Sequence, residues 1–488
     1  MIKVLISLVV AASSLLLCLT ADPCRAELLP QHLLVEKTIN VNLLRESSAI
    51  DVVYSEGIFS HIEYQKKSEV LASTESAVPP QAIVKPAPFL FGACRVVTGK
   101  IQRTGSGPCG LVLRLSESTP LNLAAVDLLE IEGSFSGSWR LAIADLSRHL
   151  LDENLPTEAV VRPQITTLEL APLVKSVDLT RVMSLVFLLD SSEGSASLER
   201  VRFSHSSLPA PPKPSGIWMW DNRPVPGHEA EIVGRLVLNG IGTVYLQIDD
   251  DPGRFLPFVE AANKKGIDVF ALDGDPGYVR NPEPLLRRIS AVAALARTSS
   301  GAAFAGFQVD IEPYLNRDFA VRKEYYVSAY LDLLSRLKKQ GGIPLSVVVP
   351  FWFDSIHVRG ATLLQKVVEV ADELVVMSYR TNNVEMLAVS MTELGLAEKL
   401  GKPVRLGIEL GRIPDERHIE LEPVSRPGDI RMGGMWWKKK GDYTVPGDRI
   451  SFKKRKNELS AYMATPIPFR SFGGWVLHSY EELGHDKR

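Results

Sequence analysis

Phe304-Ala305-Gly306-Phe307-Gln308-Val309-Asp310-Ile311 is followed by Tyr326-Val327-Ser328-Ala329-Tyr330-Leu331-Asp332-Leu333-Leu334-Ser335-Arg336-Leu337 and then by Leu345-Ser346-Val347-Val348-Val349-Pro350; this succession decides the fold. The outer runs are short and apolar, which suits strands buried on both faces. The middle run sets Tyr326, Ala329, Tyr330, Leu333, Leu334 and Leu337 at i, i+3, i+4 spacing, the stripe of an amphipathic helix. Strand, helix, strand is the parallel crossover unit. Outward from it the alternation continues, with strands expected at 216–220, 243–248, 267–272, 304–311, 345–350, 373–379, 404–409 and 474–479. Helical stripes such as Ile232-Val233-Leu236-Val237 and Leu285-Ile289-Val292-Leu295 lie between them. Eight such units over 216–488 make the fold class α/β, a (β/α)8 barrel, with a doubly wound open sheet as the rival. The stretch 413–450 is too long for an ordinary loop and carries Trp436 and Trp437.

Upstream, Leu208-Pro209-Ala210-Pro211-Pro212-Lys213-Pro214 reads as a semi-rigid linker at 208–215. Residues 89–207 read as an all-β sandwich of short β-rich runs separated by turn residues, Leu111-Val112-Leu113 and Leu185-Val186-Phe187 among them. Val126-Asp127-Leu128-Leu129-Glu130-Ile131-Glu132-Gly133, Ser176-Val177-Asp178-Leu179-Thr180 and the closing run 198–203 resemble jelly-roll carbohydrate-binding modules of the galactose-binding-like type. Residues 27–88 form an extension and linker, with strands possible at 50–54 and 58–64. Residues 1–26 read as a signal peptide: Lys3, an apolar run to Thr20, and Cys24 and Ala26 at positions −3 and −1. The chain is therefore expected to be exported, periplasmic or secreted, with no stable membrane anchor after cleavage. Cys18 and Cys24 leave with the signal, and Cys94 and Cys109 are expected to pair as a disulfide. That bridge stabilises by roughly 3 kcal/mol in the chain-entropy picture.

Over 488 residues, 55 Lys and Arg stand against 57 Asp and Glu, a net charge of −2 that argues against nucleic acid as a partner. With 45% hydrophobic and 23% charged residues the composition is globular, and only the N-terminus approaches transmembrane length.

In a (β/α)8 barrel, function collects at the C-terminal ends of the strands. Those ends supply Trp218, Trp220 and Asp221; Gln247 and Asp249; Asp273 and Asp275; Gln308, Asp310, Glu312 and Tyr314; Trp352 and Asp354; Tyr379 and Arg380; Glu409; and His478 and Tyr480. Carboxylates for acid/base work and flat aromatic faces for pyranose rings are the residue types of sugar chemistry. Gln308, Asp310 and Glu312 are two apart and share one strand face. Adjacent carboxylates repel when ionised, which raises one of them toward the range a general acid needs. The run Asp249-Asp250-Asp251 is read mainly as helix capping, and no metal or cofactor is expected.

From Ala305 the sequence reads A-G-F-Q-V-D-I-E, which resembles the strand-four motif D-G-x-D-x-D-x-E of the family-18 chitinase-like glycoside hydrolases. Met377-Ser378-Tyr379-Arg380 resembles that family's M-x-Y-D, and Gly473-Gly474-Trp475 its strand-eight Gly-Gly element. The resemblance implies Glu312 as general acid/base and Asp310 as its partner, orienting a substrate N-acetyl group whose carbonyl is the internal nucleophile. It implies Tyr379 as a donor to that acetamido group. Ala305 and Gln308 replace two carboxylates of the motif, and Arg380 replaces an Asp, which points to an acidic substrate or to an ion pair with Asp310 or Glu312. The expectation is an exported glycoside hydrolase-like protein acting on an amino-sugar-containing polysaccharide, its partner a poly- or oligosaccharide. The alternatives are a catalytically inactive carbohydrate-binding or scaffold protein on a hydrolase-derived barrel, and a metal-assisted hydrolase using Asp249, Asp250 and Asp251. The sequence sets no oligomeric state.

Overall fold

The computed structural model describes residues 47–55, 58–66, 81–84, 88–115, 120–145, 159–205, 214–298, 303–319, 321–358, 360–425, 428–432 and 434–483. The expected signal sequence and most of the 208–215 linker lie outside them. None of the described helices is long and apolar enough to cross a membrane.

The eightfold alternation is a closed parallel barrel of β1 (Ser215–Met219), β2 (Ile241–Gln247), β3 (Asp268–Asp273), β4 (Gly306–Val309), β5 (Leu345–Pro350), β6 (Glu373–Met377), β7 (Val404–Glu409) and β8 (Phe472–His478). Gly216 of β1 pairs with Val476 of β8 and closes the ring. Around it lie α1 (Glu229–Leu238), α2 (Leu256–Asn263), α3 (Glu283–Thr298), α4 (Lys323–Gly341), α5 (Leu363–Val370), α6 (Asn383–Ala388), α7 (Met391–Lys399) and α8 (Leu459–Met463). The stripe read on α4 is its buried face: Tyr326, Tyr330, Leu333, Leu334 and Leu337 pack inward. Each such leucine contributes about 1.5–3 kcal/mol by leaving water.

A polar chain runs down the barrel interior. Trp218 Nε1 donates to Gln308 Oε1 (2.7 Å), Gln308 Nε2 to Ser346 Oγ (2.9 Å), and Ser346 Oγ to Glu373 Oε1 (2.9 Å). Tyr245 donates to the same Glu373 oxygen at 2.7 Å, and Arg405 Nε reaches Glu373 Oε2 at 3.1 Å. A Gln at 308 satisfies this chain in a way an Asp does not: it accepts from Trp218 and donates to Ser346, which keeps the Ser346 proton for Glu373.

Residues 89–205 form two packed antiparallel sheets. One orders Ala159–Val160, Trp139–Asp145, Val182–Leu189, Cys109–Arg114 and Phe89–Gly92. The other orders Ile165–Glu169, Leu128–Ser136, Glu193–Ser204, Lys100–Arg103 and Cys94–Val97, with Gln81–Val84 also pairing Glu193–Ser204. Along Leu128–Ser136 every second residue points inward, Leu129, Ile131 and Phe135 among them, and Phe135 stacks on Phe187 of the facing sheet at 5.7 Å. The sandwich rests on barrel helices: Gln365 donates to the Val174 carbonyl (2.6 Å) and Asn122 to Thr392 Oγ1 (3.0 Å). Gly395 on α7 is required there, because a Cβ would stand 2.2 Å from the Ala124 carbonyl oxygen.

The disulfide expected between Cys94 and Cys109 is not formed, and both are free thiols. Cys94 Sγ is turned toward the carbonyls of Phe91 (3.0 Å) and Gly110 (3.7 Å) instead. Burial, followed by the Cys94 thiol beside it, pushes the Cys109 thiol up to about 12, so it is held as the unreactive thiol.

The chain also holds a second compact unit. It joins the described N-terminal strands to residues 413–447. The stretch expected as a long loop is a sheet, ordered Ile58–Lys66, Ser47–Ser55, Glu416–Val424, Met435–Val445 and Ile430–Met432. Trp437 is buried within this sheet, its indole N–H facing the Met432 carbonyl at 3.4 Å.

Candidate active site

Strand β4 ends at Val309, and Pro313, which has no N–H to donate, opens a 3₁₀ turn over Pro313–Leu315. Asp310, Ile311 and Glu312 are the link between the two. The Asp310 N–H is held by the Asp273 carbonyl at 3.0 Å. The loop after β3 presses on the same residue: a Cβ on Gly274 would lie 2.2 Å from the Asp310 carbonyl oxygen. Asp310 is half-buried as a residue, but its Oδ1 is sealed from water and has no hydrogen-bond partner. That burial, and next the negative charge of Glu312, push its carboxyl up to about 7, while His478 pulls it the other way.

Glu312 accepts a hydrogen bond from Tyr314, whose ring meets Trp352 edge-on at 4.8 Å. Burial, then the charge of Glu312, raises the Tyr314 phenol far above its ordinary range. Tyr379 is raised likewise by burial and then by the charges of Glu409, Asp310 and Glu312. His478 Nδ1 bonds Glu409 Oε2 at 2.7 Å, and its ring lies 6.0 Å from Tyr379 and 5.7 Å from the edge-on Trp218. Asp310, Glu312, Tyr314, Tyr379, Glu409 and His478 are thus one cluster built from the ends of β4, β6, β7 and β8. Three carboxyls, an imidazole and two phenols in partial burial are equipped to move protons near neutrality.

The other sequence candidates have other partners. Gln308 lies below the cluster in the barrel-interior chain, with Trp218 above it. Asp273 is fully engaged by Arg288 (2.7 Å), the Tyr278 hydroxyl and the Gly274 N–H, and Gln247 donates to the Ile248 carbonyl beside it. Asp249 pairs with Arg254 and Asp250 with Arg288, while Asp249 also accepts the Asp251 N–H, so this run is tied by arginines and a turn. Asp275 caps a 3₁₀ turn through the Gly277 N–H (2.6 Å). Asp221 is held below the usual carboxylate range by Arg223. Asp354 faces Thr392 and Glu393 on α7; burial pushes it up to about 6. Tyr480 is buried under Arg235 at 5.4 Å. Trp220 is half-buried with its indole N–H unpartnered. Arg380 makes no ion pair with Asp310 or Glu312; it lies over the Phe351 ring at 5.0 Å and donates to the Tyr379 carbonyl.

Three supporting residues escaped the sequence reading. Arg288 neutralises Asp273 while the Tyr278 hydroxyl donates to it, and Tyr330 brings from α4 a buried, unpartnered hydroxyl that is raised by burial and then by the Asp310 charge. Tyr330 was visible only as one member of an apolar stripe.

No protein-family profile and no curated protein matches this sequence. Among solved structures, the chain is similar to the spore cortex-lytic enzyme SleL of Bacillus cereus at 11% identity and a TM-score of 0.32, over 70% of this chain and 94% of that one. A GH18 chitinase from Pseudoalteromonas aurantia is similar at 12% identity and a TM-score of 0.32, over 55% of this chain and 94% of that one. A GH113 β-1,4-mannanase is similar at 10% identity and a TM-score of 0.33, over 55% of this chain and 87% of that one.

Proposed function

We propose that this chain is an exported glycoside hydrolase acting on an amino-sugar-containing polysaccharide, with Glu312 as general acid/base assisted by Asp310 and Tyr379. The observation that carries the reading is the carboxyl pair at the end of β4: Asp310 rises to about 7 because it is buried beside Glu312. Near neutral pH Asp310 therefore gains and loses a proton beside Glu312, which puts an exchangeable proton at the end of β4. Glu312 is partly exposed and already receives a hydrogen bond from Tyr314, whereas the Oδ1 of Asp310 is sealed from water, which suits Glu312 to meet a glycosidic oxygen. Asp310 in its protonated form can donate a hydrogen bond, and an N-acetyl oxygen is an acceptor for it. Tyr379 supplies a second donor to the same region.

The strand-four motif resemblance supports the amino-sugar class, and the departures from it have counterparts in the packing. Gln308 belongs to a neutral relay from Trp218 to Ser346, so a charge there is replaced by an amide. A barrel that binds saccharide without turnover is the second reading, favoured by Ala305, Gln308 and Arg380 standing where the motif has carboxylates.

The amino-sugar claim is tested by offering one polymer in N-acetylated and de-N-acetylated form to the purified chain. With the acetamido carbonyl as internal nucleophile, only the acetylated polymer is cut. Equal cleavage of both removes Asp310 and Tyr379 from their assigned roles, and binding of either polymer without products favours the second reading.

A further inference from the structure

We propose that Asp127, His205 and Glu398 bind one divalent transition-metal ion, with zinc the expected occupant, and that this ion clips the sandwich to the base of the barrel. One ligand atom from each of the three lies within 4.8 Å of the others. They come from separate pieces of chain. Asp127 directly precedes the strand Leu128–Ser136, His205 directly follows Glu193–Ser204, and Glu398 lies on α7. The two strands are neighbours in one sheet, and the Asp127 N–H bonds the Ser204 carbonyl at 3.0 Å, which sets Asp127 and His205 side by side. The close approach of Gly395 to Ala124 then delivers Glu398 one turn further along α7.

His205 points to a ligand. Its side chain is 3% exposed, and Nε2 bonds the Pro468 carbonyl. A carbonyl only accepts, so Nε2 carries a proton, and in the neutral ring Nδ1 presents a lone pair. Nδ1 is sealed from solvent 3.0 Å from Asp127 Oδ2, yet no aligned hydrogen bond joins them. Two lone-pair atoms so close repel unless a cation lies at Nδ1, either a metal ion shared with the carboxylates or a proton on the ring. An imidazole that donates its other N–H to a backbone carbonyl is the usual posture of a metal-bound histidine. One imidazole nitrogen with two carboxylate oxygens suits zinc and leaves a fourth position for water.

Other groups border the site. Glu398 also accepts from the Arg470 N–H and has Arg470 Nε at 3.6 Å, and Lys399 donates its ammonium to the Ala124 carbonyl. The rival occupant of the gap is a proton on His205, giving an imidazolium between Asp127 and Pro468. The site lies at the C-terminal end of α7 and just before β8, at the opposite barrel face from Asp310 and Glu312. That face serves stability in such barrels. The ion is therefore structural and separate from the proposed catalysis.

The test uses the full chain without an affinity tag, stripped by chelator and titrated with zinc ion alone. Bound metal is counted by elemental analysis, and the thermal midpoint is followed. One zinc per chain is expected, with a midpoint raised by a few degrees. His205→Gln and Glu398→Gln each weaken binding at least about tenfold and abolish the zinc-dependent shift. Should either variant fail to fold, Asp127→Asn takes its place. Failure of the wild type to retain zinc at micromolar free ion, which is the behaviour of a protonated His205, overturns the proposal. Undiminished binding in any folded variant overturns it as well.

Discussion

Asp310→Asn is expected to stabilise the protein in mild alkali and to destabilise it in acid. In the fold the Asp310 carboxyl moves from 3.8 to about 7, chiefly through burial and then through the charge of Glu312. The shift is about three units, and each unit corresponds to about 1.4 kcal/mol. Between those limits the folded chain keeps a proton that the unfolded chain releases. Stability therefore falls as pH rises, by at most about 1.4 kcal/mol per pH unit and about 4 kcal/mol in all. Below about pH 4 the wild type carries none of this cost, and above about pH 7 it carries the whole of it. The amide removes the titration but buries a new donor beside an oxygen position that has no partner, a cost of about 1–3 kcal/mol. The variant is thus less stable than wild type by about 1–3 kcal/mol near pH 4, and more stable by a similar amount near pH 8. Urea unfolding followed by tryptophan fluorescence, at several pH values for both proteins, reads the difference. A difference constant across this range would refute the reasoning, because it would mean that Asp310 titrates alike folded and unfolded.

Other perturbations test the supporting structure. Arg405→Met leaves Glu373 as an unpaired carboxylate in a pair whose side chains are each 13% exposed, and is expected to cost about 3–5 kcal/mol in urea unfolding. Trp218→Phe removes the donor to Gln308 Oε1 in the barrel interior and is expected to cost at least about 1–3 kcal/mol by the same measurement. Tyr314→Phe removes a charge-assisted hydrogen bond to Glu312, worth about 1.5–3 kcal/mol. The thermal midpoint is expected to fall by a few degrees, and a fall in kcat/KM of about ten- to a hundredfold would report that the bond strengthens in the transition state.

The barrel was legible because each of its strands is buried on both faces and each helix is striped on one, so the pattern repeats locally. The strand-end rule then brought out Asp310, Glu312, Tyr379, Glu409 and His478, which the fold assembles into one cluster. What stayed hidden depends on side-chain pairings that only the fold establishes. The sequence does not announce that Arg288 neutralises Asp273 while Tyr278 donates to it, nor that Arg254 and Arg288 turn back as counter-charges to Asp249 and Asp250. The stretch 413–450 looked like a loop because the strand that completes its sheet is Ser47–Ser55, more than 350 residues away. The cysteine pair was read from compartment and count alone, and neither carries the geometry that turns Cys94 toward backbone carbonyls. Asp127, His205 and Glu398 are likewise too widely separated for any ligand spacing to be recognised.

The central claim is that Glu312 gives the proton in cleavage of an amino-sugar polysaccharide. The most direct measurement incubates residues 27–488, as wild type and as Glu312→Gln, with a panel of N-acetylated and uronic-acid-containing polysaccharides, and reads products by mass spectrometry. New oligosaccharides are expected from wild type alone, with the variant at least about a hundredfold slower yet still retained on the same polymer. Equal turnover by both proteins would contradict the assignment of Glu312, and retention by both without any product would contradict the claim that this barrel is an enzyme.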